Sequence, residues 1–421
     1  MGKFVYRRIL KNEYAINMLN KIITLVFGFL SSIFITRYMG SSMKGEYAFI
    51  ISNASILSIF LDLGVYQAYP NQVKRGLNHV EIKFVDIFVL QFIIYEFLGI
   101  VVGVASKEST ILYVCILAPV MTLLSQVLMI AMIRFPIYRS ISSIGVSVFN
   151  LIAYIVLFFT FPRKLFLVVF VLILKDIIFI VLILYKLKIV PNPFRVEKNI
   201  LFGAIRFGVL PMITALLLNL NYKMDVIMVR NYSNSYNAGI YSVAVTIADY
   251  LWLVPDAFKE VLFSKSVQKK TTEIFNFAIK IAVYFTSALS LGLLLSGKWL
   301  IPIMYGKEFL GVYPIMALLL IGIPFMSVFK ILSPLYVTQG DTKTYFWNLL
   351  FGVVCNYVGN RTLIPYLGLV GAAWATVFSQ AVCGIFALLC FYKRNKISGR
   401  NLLVLLPNEI EFIKEFIGGN K

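Results

Sequence analysis

The sequence predicts an all-α polytopic membrane protein: about twelve transmembrane helices in two pseudo-symmetric six-helix lobes around a central cavity. Three observations lead there. First, 60% of the 421 residues are hydrophobic and only 14% charged, with mean hydropathy +0.86, too apolar for soluble domains, whose surfaces need polar cover. Second, apolar runs of spanning length recur from end to end. Third, one pattern occurs twice, about 194 positions apart: Arg37 followed by Gly45-Glu46-Tyr47, and Arg230 followed by Gly239-Ile240-Tyr241, as two similar halves require.

A spanning helix needs about 20 apolar residues. That rule gives twelve spans: 15–36, 47–68, 84–105, 110–133, 141–161, 165–185, 207–229, 237–258, 275–297, 313–331, 343–365 and 368–391. Before them, residues 1–14 read as a basic, amphipathic segment suited to the inner membrane face, with Arg7, Arg8 and Lys11 among apolar neighbours. No small-residue cleavage site follows it, so the first helix is expected to stay. Residues 15–186 then form the N-terminal lobe and 187–206, basic and holding Pro191 and Pro193, a cytoplasmic linker. Residues 207–391 form the second lobe, and 392–421 an interfacial tail interrupted by Pro407.

Lysine and arginine set the orientation. With the N-terminus inside, inner segments hold 26 of them and outer loops 9, which places both termini in the cytoplasm. The formal charge of +20 suits anionic lipid headgroups rather than nucleic acid, because the basic residues lie in short loops between spans and form no patch with interleaved aromatics. Cys115, Cys355, Cys383 and Cys390 fall in predicted spans without CxxC spacing, and His79 is the only histidine. Neither a disulfide framework nor a metal centre is expected.

Charge inside the spans is the functional signal, since a lysine or aspartate at a helix centre costs about 2.5–3.5 kcal/mol on insertion scales. In the first span Asn17, Lys21, Thr24 and Gly28 fall on one face; in the second, Ser55, Ser58 and Asp62 do. In the seventh, helical geometry turns Asn219, Lys223 and Arg230 to one side and Asn221 and Asp225 to the other. Lys223 is therefore expected to face a lumen, and Asp225 to bond a neighbouring helix. The eighth span stacks Ser242, Thr246 and Asp249; the eleventh stacks Asn348, Gly352, Asn356 and Asn360, ending at Arg361.

Bland readings compete. Lys175-Asp176 and Lys223/Asp225 also fit structural ion pairs, polar stripes also serve helix packing, and Arg37, Arg230 and Arg361 sit where arginines snorkel to the headgroups. Glu96 and Lys280 have no partner that the sequence can name.

Several stretches resemble the polysaccharide transporter family of lipid-linked repeat-unit flippases, a branch of the superfamily that also holds multidrug and toxin extruders. They are ITRYMGSSMKGEYAFI, FLDLGVYQAYP, IRFGVLPMI, NAGIYSVAVTIADYL, IPIMYGKEF and, most specifically, SPLYVTQGDTKTYFWNLLFGVVCNYVGNRTLIPYLGLVGAAWATVFSQ. The resemblance implies two six-helix lobes opening alternately to each side, no ATP-binding domain, and a polyprenyl-diphosphate oligosaccharide as substrate. It matches Lys21 to a cationic residue that faces the cavity in related flippases, with Lys223 as a second candidate; Asn17, Asn356 and Arg361 complete the expected cavity set.

Physics makes that substrate coherent. Each sugar hydroxyl stripped of water in hydrocarbon costs about 4–8 kcal/mol, which a hydrated cavity avoids. Lysines offer point charges for the diphosphate. Asp62 or Asp249 is the candidate carboxylate for coupling to H+ or Na+; no other cofactor is expected. Membrane lipids and the polysaccharide polymerase of the same pathway are the expected partners, and a bacterial plasma membrane the location. The alternatives are a drug extruder of the same superfamily, which would favour uncompensated carboxylates over lysines, and a membrane glycosyltransferase or polymerase. An enzyme would need carboxylates on its outer face, yet the longest outer loop, about Gly297 to Gly311, holds one acid, Glu308.

Overall fold

A computed structural model describes residues 2–76, 79–257 and 272–395, with the side chains of 2–19 and 272–274 excluded. The described residues form twelve α-helices and no strand. Among them, ten helices are long and apolar enough to cross a membrane, α1 counting once.

The first, α1 (Gly2–Asp62), is two spans in one helical run, broken only at Gly40 (φ 67°). That left-handed angle suits glycine, which has no Cβ to clash. Thus residues 2–14, expected as a separate interfacial element, are helical backbone continuous with the first span, and the expected loop between spans one and two shrinks to a kink. A second break, Leu63 and Gly64 at positive φ, starts the short α2 (Val65–Lys74). Antiparallel helices follow: α3 (Val80–Ser106), α4 (Ser109–Arg134), α5 (Pro136–Thr160) and α6 (Leu165–Leu187). Pro136 opens α5 at the first helical position, where its missing N–H costs nothing.

The chain divides into two compact units, residues 1–219 and 220–421. The boundary falls inside α7 (Lys198–Tyr232) rather than in the expected linker 187–206, whose last nine residues are already α7. The remaining linker is strapped to α3: the Asn192 backbone N–H donates to the buried Asp86 carboxylate at 2.6 Å, and Lys83 pairs with Glu197 at 2.8 Å.

In unit 1, α4 lies against α1, α3 and α6, and α5 closes on α1. Tyr69, Phe84 and Phe88 pack edge to face, with centroids 5.4 and 5.8 Å apart. The N-terminal part of α7 belongs here, because Gly208 meets Gly64 backbone to backbone; a Cβ on Gly64 would lie 2.2 Å from the Gly208 carbonyl oxygen. Only glycine on both sides permits that approach.

Unit 2 is built on α10 (Val312–Thr338) and α12 (Leu369–Asn395), against which pack α8 (Ser235–Asp249), α9 (Thr272–Tyr305) and α11 (Thr342–Leu367). Asn234 caps α8, accepting from the Asn237 N–H at 2.8 Å, and Asp341 caps α11, accepting from the Thr344 N–H at 3.3 Å. Lys330 lies within α10. The expected tail 392–421 is helical to Asn395; 396–421 lie outside the described residues, as do 258–271 with four of the counted lysines.

Candidate functional site

The densest polar cluster in unit 2 is organised around Asp225 on α7, which is 3% exposed. An ionised carboxylate is tolerable at that depth only with donors around it. Three helices supply them. Asn360 on α11 donates to Asp225 Oδ1 at 2.8 Å, and Thr376 on α12 donates to Oδ2 at 2.6 Å. Tyr241 on α8, fully buried, lies 2.8 Å from the Thr376 hydroxyl and 3.3 Å from Oδ2, which fits a relay from Tyr241 through Thr376 to the carboxylate. The same Asn360 amide also donates to Asn356 Oδ1 at 3.0 Å, while its own carbonyl oxygen is buried without a hydrogen-bond partner.

One helical turn before Asp225, Asn221 accepts from Ser379 at 2.8 Å. Beside both sits a cavity of about 20 Å³, the room of roughly one water molecule. Asn221, Asp225, Asp249, Trp252, Thr376 and Gln380 line it, and the Gln380 side-chain oxygen is a buried acceptor without a partner. Two carboxylates and several neutral side chains thus border a space of about one water molecule. Among the described residues no group of three or more His, Cys, Asp and Glu side chains could hold a metal ion. Nearby, Lys330 is held 3.0 Å from both oxygens of Asp256 and 4.6 Å above the Trp252 ring, an ion pair reinforced by cation–π attraction.

Unit 1 holds a second buried carboxylate. Asp62, 1% exposed, accepts from Gln126 Nε2 at 2.8 Å, and the same amide donates to Gln91 Oε1 at 2.8 Å. Gln126 is itself fully buried, and its carbonyl oxygen lacks a partner. Tyr47, the tyrosine of the first Gly-x-Tyr pattern, is buried as Tyr241 is and shares a hydrogen bond with Tyr154 on α5. In both units the repeated motif delivers a buried tyrosine, which in unit 1 packs in an apolar cluster with Ile35, Tyr38 and Tyr154.

The predicted residues separate as follows. Asp62 enters the unit 1 cluster, and Asp249 lines the small unit 2 cavity. Lys223 is half-buried on the opposite side of α7 from Asp225, and its charge acts on Asp249. Lys21 and Arg361 are exposed on α1 and α11. Asn356 differs from its expected role: it is fully buried against Asn360, inside the unit rather than on a lumen, because the every-fourth-residue stripe of α11 packs on α7 and α12. The side chain of Asn17 lies outside the described residues.

Lys175 and Asp176 pair at 3.0 Å, but within α6 rather than between helices. Lys280 is fully buried in α9. Sequence reasoning missed Gln91, Gln126, Thr376 and Gln380. The α12 residues carried a usable signal, because Thr376, Ser379, Gln380 and Cys383 repeat with helical period on one face; the two glutamines are single amides in apolar spans, with no pattern around them.

Comparison with known proteins places this architecture. The family model described as lipid II flippase MurJ matches residues 261–410, which include all of α9 to α12. An uncharacterized membrane protein of Methanocaldococcus jannaschii is 23% identical over 200 residues, 46% of this chain and 48% of the relative, so the match spans about half of that relative's length. A multidrug resistance MATE family transporter of the MOP superfamily, in its inward-facing conformation, superposes with TM-score 0.68 at 12% identity, covering 91% of this chain and 98% of that one. The lipid II flippase MurJ in an inward closed conformation gives TM-score 0.65 at 16% identity, covering 96% and 93%. The chain is therefore a multi-pass membrane protein with the fold of MOP-superfamily transporters. MurJ has that fold too, and its family model also matches the C-terminal part of this sequence.

Proposed function

We propose that this protein is a flippase that carries a polyprenyl-diphosphate-linked oligosaccharide repeat unit from the cytoplasmic to the outer leaflet of a bacterial plasma membrane. Alternating access moves the polar head while the lipid tail stays in the bilayer, in a surface-polysaccharide pathway whose polymerase receives the product. Both termini lie in the cytoplasm, as the basic-residue bias argues. The lipid-linked substrate is supported by the likeness to the lipid II flippase in both sequence model and fold.

The observation that carries the transport reading is the Asp225 cluster with its one-atom cavity. A buried carboxylate bound by donors from three helices is expensive unless it has a task. The Asp225 and Thr376 oxygens, the partnerless carbonyl of Gln380 and the nearby Asp249, all lining that cavity, fit a desolvated Na+; a proton on Asp225, Asp249 or Asp62 is the other coupling ion. Either, moving inward through the membrane potential, supplies about 2.3 kcal/mol per charge per 100 mV. Lys21 and Lys223 are the candidate cations for the diphosphate, with Asn17 and Arg361 beside them in the expected set.

The test is reconstitution in vesicles with a fluorescent lipid-linked oligosaccharide, scoring protection from a membrane-impermeant quencher. Ion-gradient-stimulated movement of the lipid is expected. The reading fails if the lipid never crosses. A drug extruder, which the MATE likeness favours, would instead move cationic dyes and leave the lipid in place, and a membrane glycosyltransferase or polymerase would turn the labelled lipid into product.

A further inference from the structure

Unit 1 contains a cavity of about 450 Å³, within the range of about 300–1,000 Å³ usual for small-molecule sites. Its lining is largely aliphatic, with Leu124, Leu128 and Leu172. Polar groups interrupt that lining: Ser55 and Ser58 from α1, Ser125 from α4, Lys175 and Asp176 from α6, and Asn219 from α7. All six stand inside spanning helices, where polar groups need a reason.

Each serine already donates its proton. Ser55 gives its own to the Ser52 carbonyl at 2.9 Å, with Asn219 Oδ1 at 3.2 Å; Ser58 bonds the Ser55 carbonyl at 2.9 Å; and Ser125 bonds the Thr122 carbonyl at 2.7 Å. Three hydroxyl oxygens therefore offer lone pairs. The donors are the Asn219 amide and the Lys175 ammonium, whose charge is balanced by Asp176 at 3.0 Å. A lining with both donors and acceptors and no net charge suits groups that are both donor and acceptor, which describes sugar hydroxyls. Its aliphatic part suits the C–H face of a sugar ring. An anionic group would meet three lone-pair-bearing oxygens and a lysine already neutralised.

We propose that this cavity is the subsite for an uncharged sugar of the transported head group, and that the Lys175–Asp176 pair sets its selectivity against acidic sugars. This rests on the flippase reading above and goes further by locating the sugar and fixing its charge.

The test uses the full chain in lipid nanodiscs and two short-chain prenyl-diphosphate disaccharides, identical except that one carries a uronic acid. Wild-type protein is expected to bind the neutral probe about ten-fold more tightly than the acidic one. Ser125→Phe fills the cavity from an exposed wall position and should weaken the neutral probe about ten-fold. Asp176→Asn leaves Lys175 unbalanced and should move the neutral-to-acidic ratio about ten-fold toward the acidic probe. Should that variant fail to fold, Ser125→Phe decides alone. Wild type favouring the acidic probe, unchanged binding in Ser125→Phe, or an unchanged ratio in folded Asp176→Asn overturns the subsite while leaving a wild type that binds and moves the lipid a flippase. Wild type that neither binds nor moves either probe overturns both readings.

Discussion

Asn360 and Asp225, 135 positions apart, meet through a 2.8 Å hydrogen bond from the Asn360 amide to the carboxylate. It joins α11 to α7 at the point where α8 and α12 also send a hydroxyl. The geometry makes Asp225 a fixed acceptor within unit 2, with a single-atom cavity beside it.

Asp225→Asn keeps the shape of the side chain and removes its charge. Under the proposed coupling, gradient-driven accumulation of the lipid, about fifty-fold per charge per 100 mV, should vanish in vesicles while passive exchange persists. Asp225→Asn vesicles that still respond fully to the ion gradient would remove Asp225 from the coupling path. Thr376→Val deletes one donor and should lower stability by about 0.6–1.7 kcal/mol, the scale of interhelical hydrogen bonds in membranes; thermal unfolding in detergent reads it.

Gln126 satisfies two buried acceptors with one amide. Gln126→Leu removes the side-chain donor to Asp62, leaving it the Tyr66 N–H at 3.4 Å, and strands Gln91 Oε1; each buried group so weakened should cost up to about 1–3 kcal/mol. Combining it with Asp62→Leu removes one weakened partner, so the double variant should unfold at a higher temperature than Gln126→Leu alone. A lower midpoint would mean that Asp62 is held by something other than this amide.

The contact of Gly64 with Gly208 predicts a strict size limit. Gly208→Ala would place its methyl about 2.0 Å from the Gly64 carbonyl oxygen, and such overpacking typically costs about 1–3 kcal/mol. Gly64→Ala adds strain at φ +75°. Both should yield less folded protein by size-exclusion chromatography; at Gly28, where a Cβ meets nothing, alanine should be tolerated.

Asp341 gives a pH prediction outside the spans. Burial alone would raise its carboxyl, but the Thr344 hydrogen bonds and the Arg394 guanidinium outweigh that and hold it below the ordinary carboxylate range. A depressed folded value means that its stabilisation is complete above the unfolded value of about 3.9 and is lost as pH falls through the folded one. Asp341→Asn should therefore lower the unfolding midpoint at pH 7, with the difference from wild type shrinking in acid. Equal midpoints at pH 7 would show that the charge of Asp341, and with it the Arg394 ion pair, contributes nothing, since asparagine can still cap the helix.

Much was legible in the chain itself. Apolar run lengths located the spans to within a few residues, because a bilayer demands a fixed length of satisfied backbone. Helical angles separate Lys223 from Asp225, since 100° per residue holds whatever the neighbours are, and Asp225 does bond neighbouring helices as expected. The Gly-x-Tyr repeat marked two positions that became buried tyrosines.

What the chain could not display is which helix each polar face meets. The serine and asparagine stripes were visible, but only packing decided that Asn356 turns into unit 2 while Ser55 and Ser58 open onto a cavity. Periodicity assigns a residue to a side of its own helix and carries no information about the helix opposite. For the same reason Gln126 and Thr376 went unseen: a lone polar side chain acquires meaning from partners 64 and 151 positions away, and those distances are set by tertiary contacts. Hydrophobic pattern fixed the helices and their membrane environment, whereas the charged and hydroxylated groups took their places only when the helices closed on one another.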